Sequence, residues 1–477
     1  MNGAFVTSAL TSIANHSRLR HMLARRVDDY IYQKIVDEDK RDLVSVRLRK
    51  YQFLSGLLAR VRRNIERGYV SKQVMKRVID AFVGNCLLPN PERTRAMEAF
   101  HRQRGEYPPT FIVLSPTQRC NLNCAGCYAA STSHTPATLK YGVVERVLNE
   151  VHDSFGSRFA TISGGEPFLY GDGGRTLFDI FAKFSDMFFL VYTNGTLIER
   201  EIAEGLAELG NVTPAISVEG FEKETDARRG KGVFKKIMAA CEHLRQAGVP
   251  FGISVTATAH NTDLLLGDEF YRFFFEEQGA VYMWQFQFMP IGRGKDSLAL
   301  MVTPEQRLRL FRKWEQLLAE KKYPVADFWN SGTLSRGCIA YGRSGGYVYV
   351  DWNGNILPCV FVPYYVDNVH RLFEQGRPLA DGLFSNFMKN GRRWQMEYGL
   401  SHPACPGNWL MPCSIRDHYG AFRDTVLTEE VRPEDDNARE ALASPEYRDV
   451  LENYDKELDR LTSQVWEREY AQASLAM

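Results

Sequence analysis

The chain has 477 residues, 44% hydrophobic and 25% charged, with a formal net charge of +1. That length leaves room for two or three folding units, and that composition fills a globular core without signalling disorder. The near-neutral balance calls for no nucleic acid or other polyanion, and no apolar run approaches the roughly 20 residues that span a bilayer.

The first stretch, residues 1–107, reads as helices rich in Arg and Lys. Tyr51, Leu54, Leu58, Val61 and Ile65 recur at helical spacing, with Arg47, Arg49, Lys50, Arg60, Arg62 and Arg63 around them. A solvated basic face is the plain reading. Peripheral contact with an anionic lipid surface or a phosphorylated substrate is the sharper one. The opening text, MNGAFVTSALTSIANHSRLRH, lacks the charged start, long apolar centre and cleavage site of an export signal, so a cytoplasmic location is expected.

From Pro108 short apolar strands alternate with helical segments. The strands are FIVLSP, FATISGG, FFLVYTNG, PAISVEG, FGISVTAT and WQFQFMP, with helices expected near Tyr141, Thr176, Ile198, Phe234 and Phe270. Such alternation calls for parallel strands covered by helices, as an open sheet or a barrel. About six units fit, too few for a complete eight-fold barrel. A helical stretch follows around residues 304–322. GGYVYV and NILPCVFV then flank Asn353-Gly354, a hairpin signal. From about Thr428 the chain is charged and helical, with no visible chemistry.

Nine cysteines are present, an odd number that a closed disulfide set cannot use up. Cys120, Cys124 and Cys127 form C-x3-C-x2-C in CNLNCAGCYA, directly after the first alternating strand. Three thiolates on one loop hold three corners of a cubane iron–sulfur cluster and leave the fourth iron open to a cosubstrate. A zinc loop is the competing reading, but structural zinc takes four protein ligands and no fourth Cys or His follows nearby. Cys86 and Cys241 fall in helical patterns without partners and read as inert buried thiols.

CNLNCAGCYA resembles the signature of the radical S-adenosylmethionine (SAM) superfamily, and the alternating region resembles its partial (β/α)6 barrel. The resemblance spans about Pro108 to Ser414. It implies a 4Fe-4S cluster on three cysteines with SAM chelating the open iron, and an oxygen-sensitive enzyme that cleaves SAM to a 5′-deoxyadenosyl radical. The residue before the third cysteine, often aromatic in the family, is Gly126 here, and Tyr128 is the nearby candidate for adenine contact. Gly164-Gly165-Glu166-Pro167 resembles the family's GGEP motif, in which Glu166 pairs with the SAM ammonium. Thr193-Asn194-Gly195 resembles a position near SAM, with an Asn-Gly turn as its competitor. Ser217 and Glu219 stand where relatives often read SIDG and contact the ribose or methionyl part. Arg229 matches an arginine that holds the SAM carboxylate, with Arg228 beside it as rival. Thr256 is a further candidate.

Cys338, Cys359, Cys405 and Cys413 are the remaining cysteines. GCIAYGRSGGYVYVDWNGNILPC resembles the start of the SPASM or twitch extension that follows many radical SAM barrels. Four cysteines imply one auxiliary 4Fe-4S cluster, and a four-cysteine zinc site is the alternative. The expected organisation is a helical region (1–107), a radical SAM partial barrel (108–300), a SPASM/twitch-like extension (301–427) and a helical tail (428–477). The expected reaction is hydrogen abstraction from an unactivated C–H bond of a small-molecule or lipid-like substrate, with a flavodoxin or ferredoxin as reductant. A peptide substrate and a non-catalytic metal-bound scaffold are the alternatives. Trp284, Phe286, Phe288, Phe328 and Trp329 are candidates to line an apolar substrate cavity, and Arg293, after Met289, Pro290 and Gly292, to bind an anionic substrate group.

Overall fold

The computed structural model describes residues 10, 12, 20–39, 42–400 and 407–471. The six expected strands form: β1 (Phe111–Leu114), β2 (Phe159–Ile162), β3 (Phe188–Thr193), β4 (Val212–Val218), β5 (Gly252–Ala257) and β6 (Met283–Gln287). Each pairs in parallel with the next. Helices between them bury one apolar stripe each. Val144, Val147, Leu148 and Val151 do so on Tyr141–Asp153, and Ile237, Ala240, Cys241 and Leu244 on Val233–Ala247. Cys241 is thus a core thiol, as expected.

Four further strands extend this sheet beyond the six-unit barrel. They are β7 (Val325–Asp327), β8 (Tyr347–Val350), β9 (Asn355–Leu357) and β10 (Asp367–Asn368). The sheet order is β10-β9-β8-β1-β2-β3-β4-β5-β6-β7. The expected hairpin is present, since β8 and β9 pair antiparallel with Val350 opposite Ile356. Its turn uses Gly354 at φ 78°, with Asp351 accepting hydrogen bonds from the amides of Asn353 and Asn355. The extension therefore shares the barrel's sheet. It adds β7 to one edge and β8, β9 and β10 to the other.

The N-terminal residues are helical among those described. In α1 (Val44–Glu66) the buried positions include Val46, Arg47, Ser55, Gly56, Arg60 and Asn64, so the face turned to the rest of the protein is partly polar. The solvated basic face expected from the sequence is not there. Arg47 donates to the Val36 carbonyl, Arg49 pairs with Glu315, Arg60 and Arg63 with Glu276, Lys50 with Asp42 and Arg62 with Glu66. Most of these cations meet partners on neighbouring segments, Arg62 pairs within its own helix, and each is thus engaged by a protein group. No helix among the described residues is long and apolar enough to cross a membrane.

Helix Lys72–Val78 continues into a wider-turned segment, Ile79–Leu87, beside the start of the barrel strands. Phe82 stacks near Phe188 and Phe159, which open β3 and β2, with ring centroids 4.9 and 6.4 Å apart. At the other end of the chain the expected charged helices form over Asp436–Ala443 and α2 (Pro445–Trp466).

Candidate active site: a three-cysteine loop over a barrel cavity

Side chains alternate across each barrel strand, and the inward set surrounds one cavity of about 460 Å³. Cys120, Cys124 and Cys127 stand at its upper end, on the loop that follows β1. Tyr128, Gly164, Gly165, Asn194, Ser217, Thr256, Arg228 and Arg229 line the same cavity, so strand ends far apart in sequence converge there. Glu166 and Glu219 are not among the lining residues; both are buried behind it.

The cysteine loop is held from several sides. Gly165 donates its amide to the Thr117 carbonyl at 2.9 Å and Glu166 to that of Arg119 at 2.7 Å. A Cβ on Gly165 would lie 2.2 Å from the Arg119 carbonyl oxygen. The glycines of GGEP therefore serve a close approach to the loop's own backbone. The Glu166 carboxylate accepts from Thr193 Oγ1 and the Asn194 amide at 2.8 Å each, and from the Phe168 amide at 3.2 Å. It ties the second strand end to the third. Burial pushes this carboxyl up to about 7, against the pull of those hydrogen bonds. Asn194 donates to Asn121 Oδ1 at 2.8 Å and lies 3.7 Å from Cys120 Sγ.

Glu219 anchors another corner. Its Oε2 accepts from Arg228 at 2.7 Å, and its Oε1 accepts two bonds from Arg229, at 2.6 and 2.9 Å. Arg228 also exchanges contacts with Ala125 in the cysteine loop. Glu219 thus presents the two guanidinium groups to the cavity, and the rivalry between Arg228 and Arg229 resolves into a shared carboxylate. Burial opposes the charge of the partly buried Arg229, but Glu219 and the nearby thiols outweigh it and raise its pKa.

Arg293 does not face the cavity as an anion-binding group. Its guanidinium donates to the carbonyls of Cys124 at 2.8 Å and Ser131 at 2.6 Å, and its amide to Cys127 at 3.0 Å. It clamps the cysteine loop. Gly126 has φ 65°, and a Cβ there would lie 2.6 Å from the ring of Phe288, which follows β6. Phe288 occupies the space a larger side chain at 126 needs. Tyr128 does line the cavity, its hydroxyl 2.8 Å from Ser163 Oγ. Phe288 and Arg293 act on the loop from a distant segment, so their roles leave no mark in consecutive residues, and Asn121 within the loop is the point that Asn194 holds.

Among the described residues no three His, Cys, Asp or Glu side chains converge as ligands of a single ion. Cys120, Cys124 and Cys127 line one cavity from one loop, a donor set that fits a cluster held by three thiolates with one iron left open. Burial pushes the Cys120 thiol up to about 12 and raises that of Cys124. Bound metal charge is what stabilises such thiolates.

Cys338, Cys359 and Cys413 line a second, smaller compartment of about 40 Å³, while Cys405 lies outside the described residues. The Tyr347 hydroxyl donates to Cys359 Sγ at 2.9 Å. The Cys413 amide donates to Asp417, which also forms a fully buried pair with Arg307. Phe328, Ile339, Tyr347 and Phe361 wall both spaces, so the second compartment adjoins the barrel cavity through an apolar partition. Cys86, expected as an inert thiol, is half-buried at the cavity's lower end, with Sγ 2.9 Å from the Arg158 carbonyl.

The parallel sheet carries three cysteines on its first loop and two arginines on the rim of the same cavity, which makes this the candidate site for a cluster and a cosubstrate. Residues 114–267 match the model of the radical SAM superfamily, within an α/β core flanked by helical termini. It is similar to the AdoMet-dependent heme synthase of Methanosarcina barkeri, with 29% identity over 292 residues, covering 55% of this chain and 79% of that one. It is also similar to the mycofactocin maturase MftC of Mycolicibacterium smegmatis, with 28% identity over 342 residues, covering 69% and 80%. The crystal structure of Streptococcus suis SuiB bound to the precursor peptide SuiA shares the fold at TM-score 0.50 and 19% identity, covering 64% of this chain and 72% of that one. A domain of this superfamily implies a 4Fe-4S cluster and SAM.

Proposed function

We propose that this enzyme abstracts hydrogen from an unactivated C–H bond of a small-molecule or lipid-like substrate held in the barrel cavity. Cys120, Cys124 and Cys127 hold the cluster, and the cluster with SAM supplies a 5′-deoxyadenosyl radical when both are bound. Arg229, oriented by Glu219, meets the SAM carboxylate. Asn194, Ser217 and Thr256 offer polar atoms to the rest of the cosubstrate, and Tyr128 an aromatic surface. Glu166 positions the Thr193-Asn194-Gly195 turn, and Glu219 acts through the arginines. Below this rim the walls are largely apolar, which keeps water from the reacting carbon and holds it in place.

The observation that carries this reading is the junction of the cysteine loop with an apolar cavity of small-molecule size. Cys338, Cys359, Cys405 and Cys413 would hold one auxiliary 4Fe-4S cluster. The apolar partition in front of it suits electron exchange more than substrate ligation. A flavodoxin- or ferredoxin-like protein is the fitting reductant. Kinship with the mycofactocin maturase favours a peptide as the second reading of the substrate. The test is anaerobic reconstitution with iron and sulfide, then addition of SAM and dithionite. Formation of 5′-deoxyadenosine that vanishes in Cys124→Ala supports the proposal, and iron loading with intact SAM refutes it.

A further inference from the structure

The cavity does not end beneath the cysteine loop. Its walls run down the barrel interior through Thr161, Tyr192 and Ser254 to Phe111, Phe159, Leu190 and Trp284. Phe111 and Phe159 open their strands, so the cavity reaches the barrel's opposite end. There Phe82, Cys86 and Leu87 of the segment Ile79–Leu87 form its floor. This gives part of the N-terminal region a place in the substrate site.

Charge is distributed unevenly along this depth. The only charged side chains among the lining residues are Arg228 and Arg229, both at the cysteine end and both paired with Glu219. The lower walls carry aromatic and aliphatic groups with a few hydroxyls. Tyr192 packs edge-on against Phe286 at 5.5 Å, and its phenol has no hydrogen-bond partner among the described residues. An ionised group placed there would lose its hydration without a counter-charge, whereas a hydrocarbon group would gain from leaving water.

We propose that this lower compartment, from Tyr192 down to Phe82, seats an uncharged hydrocarbon body of the substrate, and that Tyr192 meets its one neutral polar group, a hydroxyl or carbonyl. The inference rests on the reading of the upper cavity as the SAM site and narrows the substrate class for that site. A substrate with several carboxylates does not fit these walls.

The experiment uses the reconstituted holoenzyme and titrates 1-decanol, decanoate and the capped peptide acetyl-trialanine amide by calorimetry. The expected result is saturable binding of one decanol per chain, with decanoate weaker by about tenfold or more. Tyr192→Phe weakens decanol severalfold, and Leu190→Trp, which fills the compartment, removes its binding while SAM still binds. Leu190→Phe, a smaller overfilling, gives an intermediate loss, and melting curves of both variants establish that they are folded. Equal binding of decanol and decanoate, tighter binding of the peptide, or unchanged decanol binding in a folded Leu190→Trp protein overturns the proposal. Decanol binding needs no SAM cleavage, so failure to form 5′-deoxyadenosine would count against the proposed function without deciding this one.

Discussion

The two cysteine sites are built in opposite ways. Cys120, Cys124 and Cys127 lie within eight consecutive positions on one loop, and distant segments hold that loop from outside through Arg293, Asn194, Arg228 and Phe288. Cys338, Cys359 and Cys413 come from three segments and meet only because the strands and helices around them fold together. The first site opens onto a large cavity, and the second adjoins it behind an aromatic partition. A loop that carries its own ligands can afford an open face, since its geometry is held from behind. Ligands gathered from afar suit a closed site whose walls keep them together.

The sharpest way to break this comparison is to remove one thiol from each site. Cys124→Ala is expected to lower 5′-deoxyadenosine formation to about 1% or less, an effect on the order of 3 kcal/mol. Cys413→Ala is expected to retain SAM cleavage and lose roughly half the iron, if each site holds one four-iron cluster. Iron analysis and product chromatography decide it; loss of SAM cleavage in both variants would mean the sites are not separable.

Next in size is the carboxylate behind the rim. Glu219→Ala leaves two guanidinium groups without their buried partner, and breaking such a pair costs about 3–5 kcal/mol. Thermal melting should fall and SAM binding should weaken together, with Glu219→Gln intermediate. A variant that melts like the wild type would show that the arginines do not depend on Glu219.

Gly126→Ala tests the clamp on the cysteine loop itself. The new Cβ meets Phe288 in a left-handed backbone, so a loss of about 1–3 kcal/mol is expected in denaturant unfolding. Phe288→Ala in the same protein should recover part of that loss relative to the two single changes added together. Strict additivity would disconnect the ring from the glycine.

The smallest effect concerns α2, which packs near the auxiliary site. Asp455 is buried, accepts from the Tyr419 amide, and burial pushes its carboxyl up to about 8. Unfolded, an aspartate loses its proton near pH ~4. Between these values the folded state holds the proton more tightly, so this group's contribution to stability falls as pH rises from about 4 to about 8. Asp455→Asn removes that slope. The stability difference between this variant and the wild type should be absent near pH ~4 and should grow in the variant's favour as pH rises towards about 8, which denaturant unfolding at a series of pH values measures.

The parts of the site legible in the sequence are those written in consecutive residues. The C-x3-C-x2-C loop, GGEP, Asn194 and Ser217 stood out through their resemblance to a family's motifs, and strand alternation explains why they and Thr256 share one end of the barrel. Glu219 and Arg293 could be found but not understood. Each was expected to touch a ligand, and each instead touches protein. The helix α1 shows the same limit, since its arginines look solvated until their carboxylate partners, up to 266 positions away, are in place.

By itself the sequence determined the alternating strands and helices, the hairpin at Asn353-Gly354 and the cysteine loop, because periodicity, turn chemistry and ligand spacing are local. Only the tertiary structure decided that β7 and β8 flank the barrel's two edges, that an aromatic partition separates the two cysteine sites, and that Phe82, Cys86 and Leu87 floor the cavity. Those features depend on contacts between residues far apart in the chain, which are selected by packing and charge pairing and leave no periodic mark in the sequence.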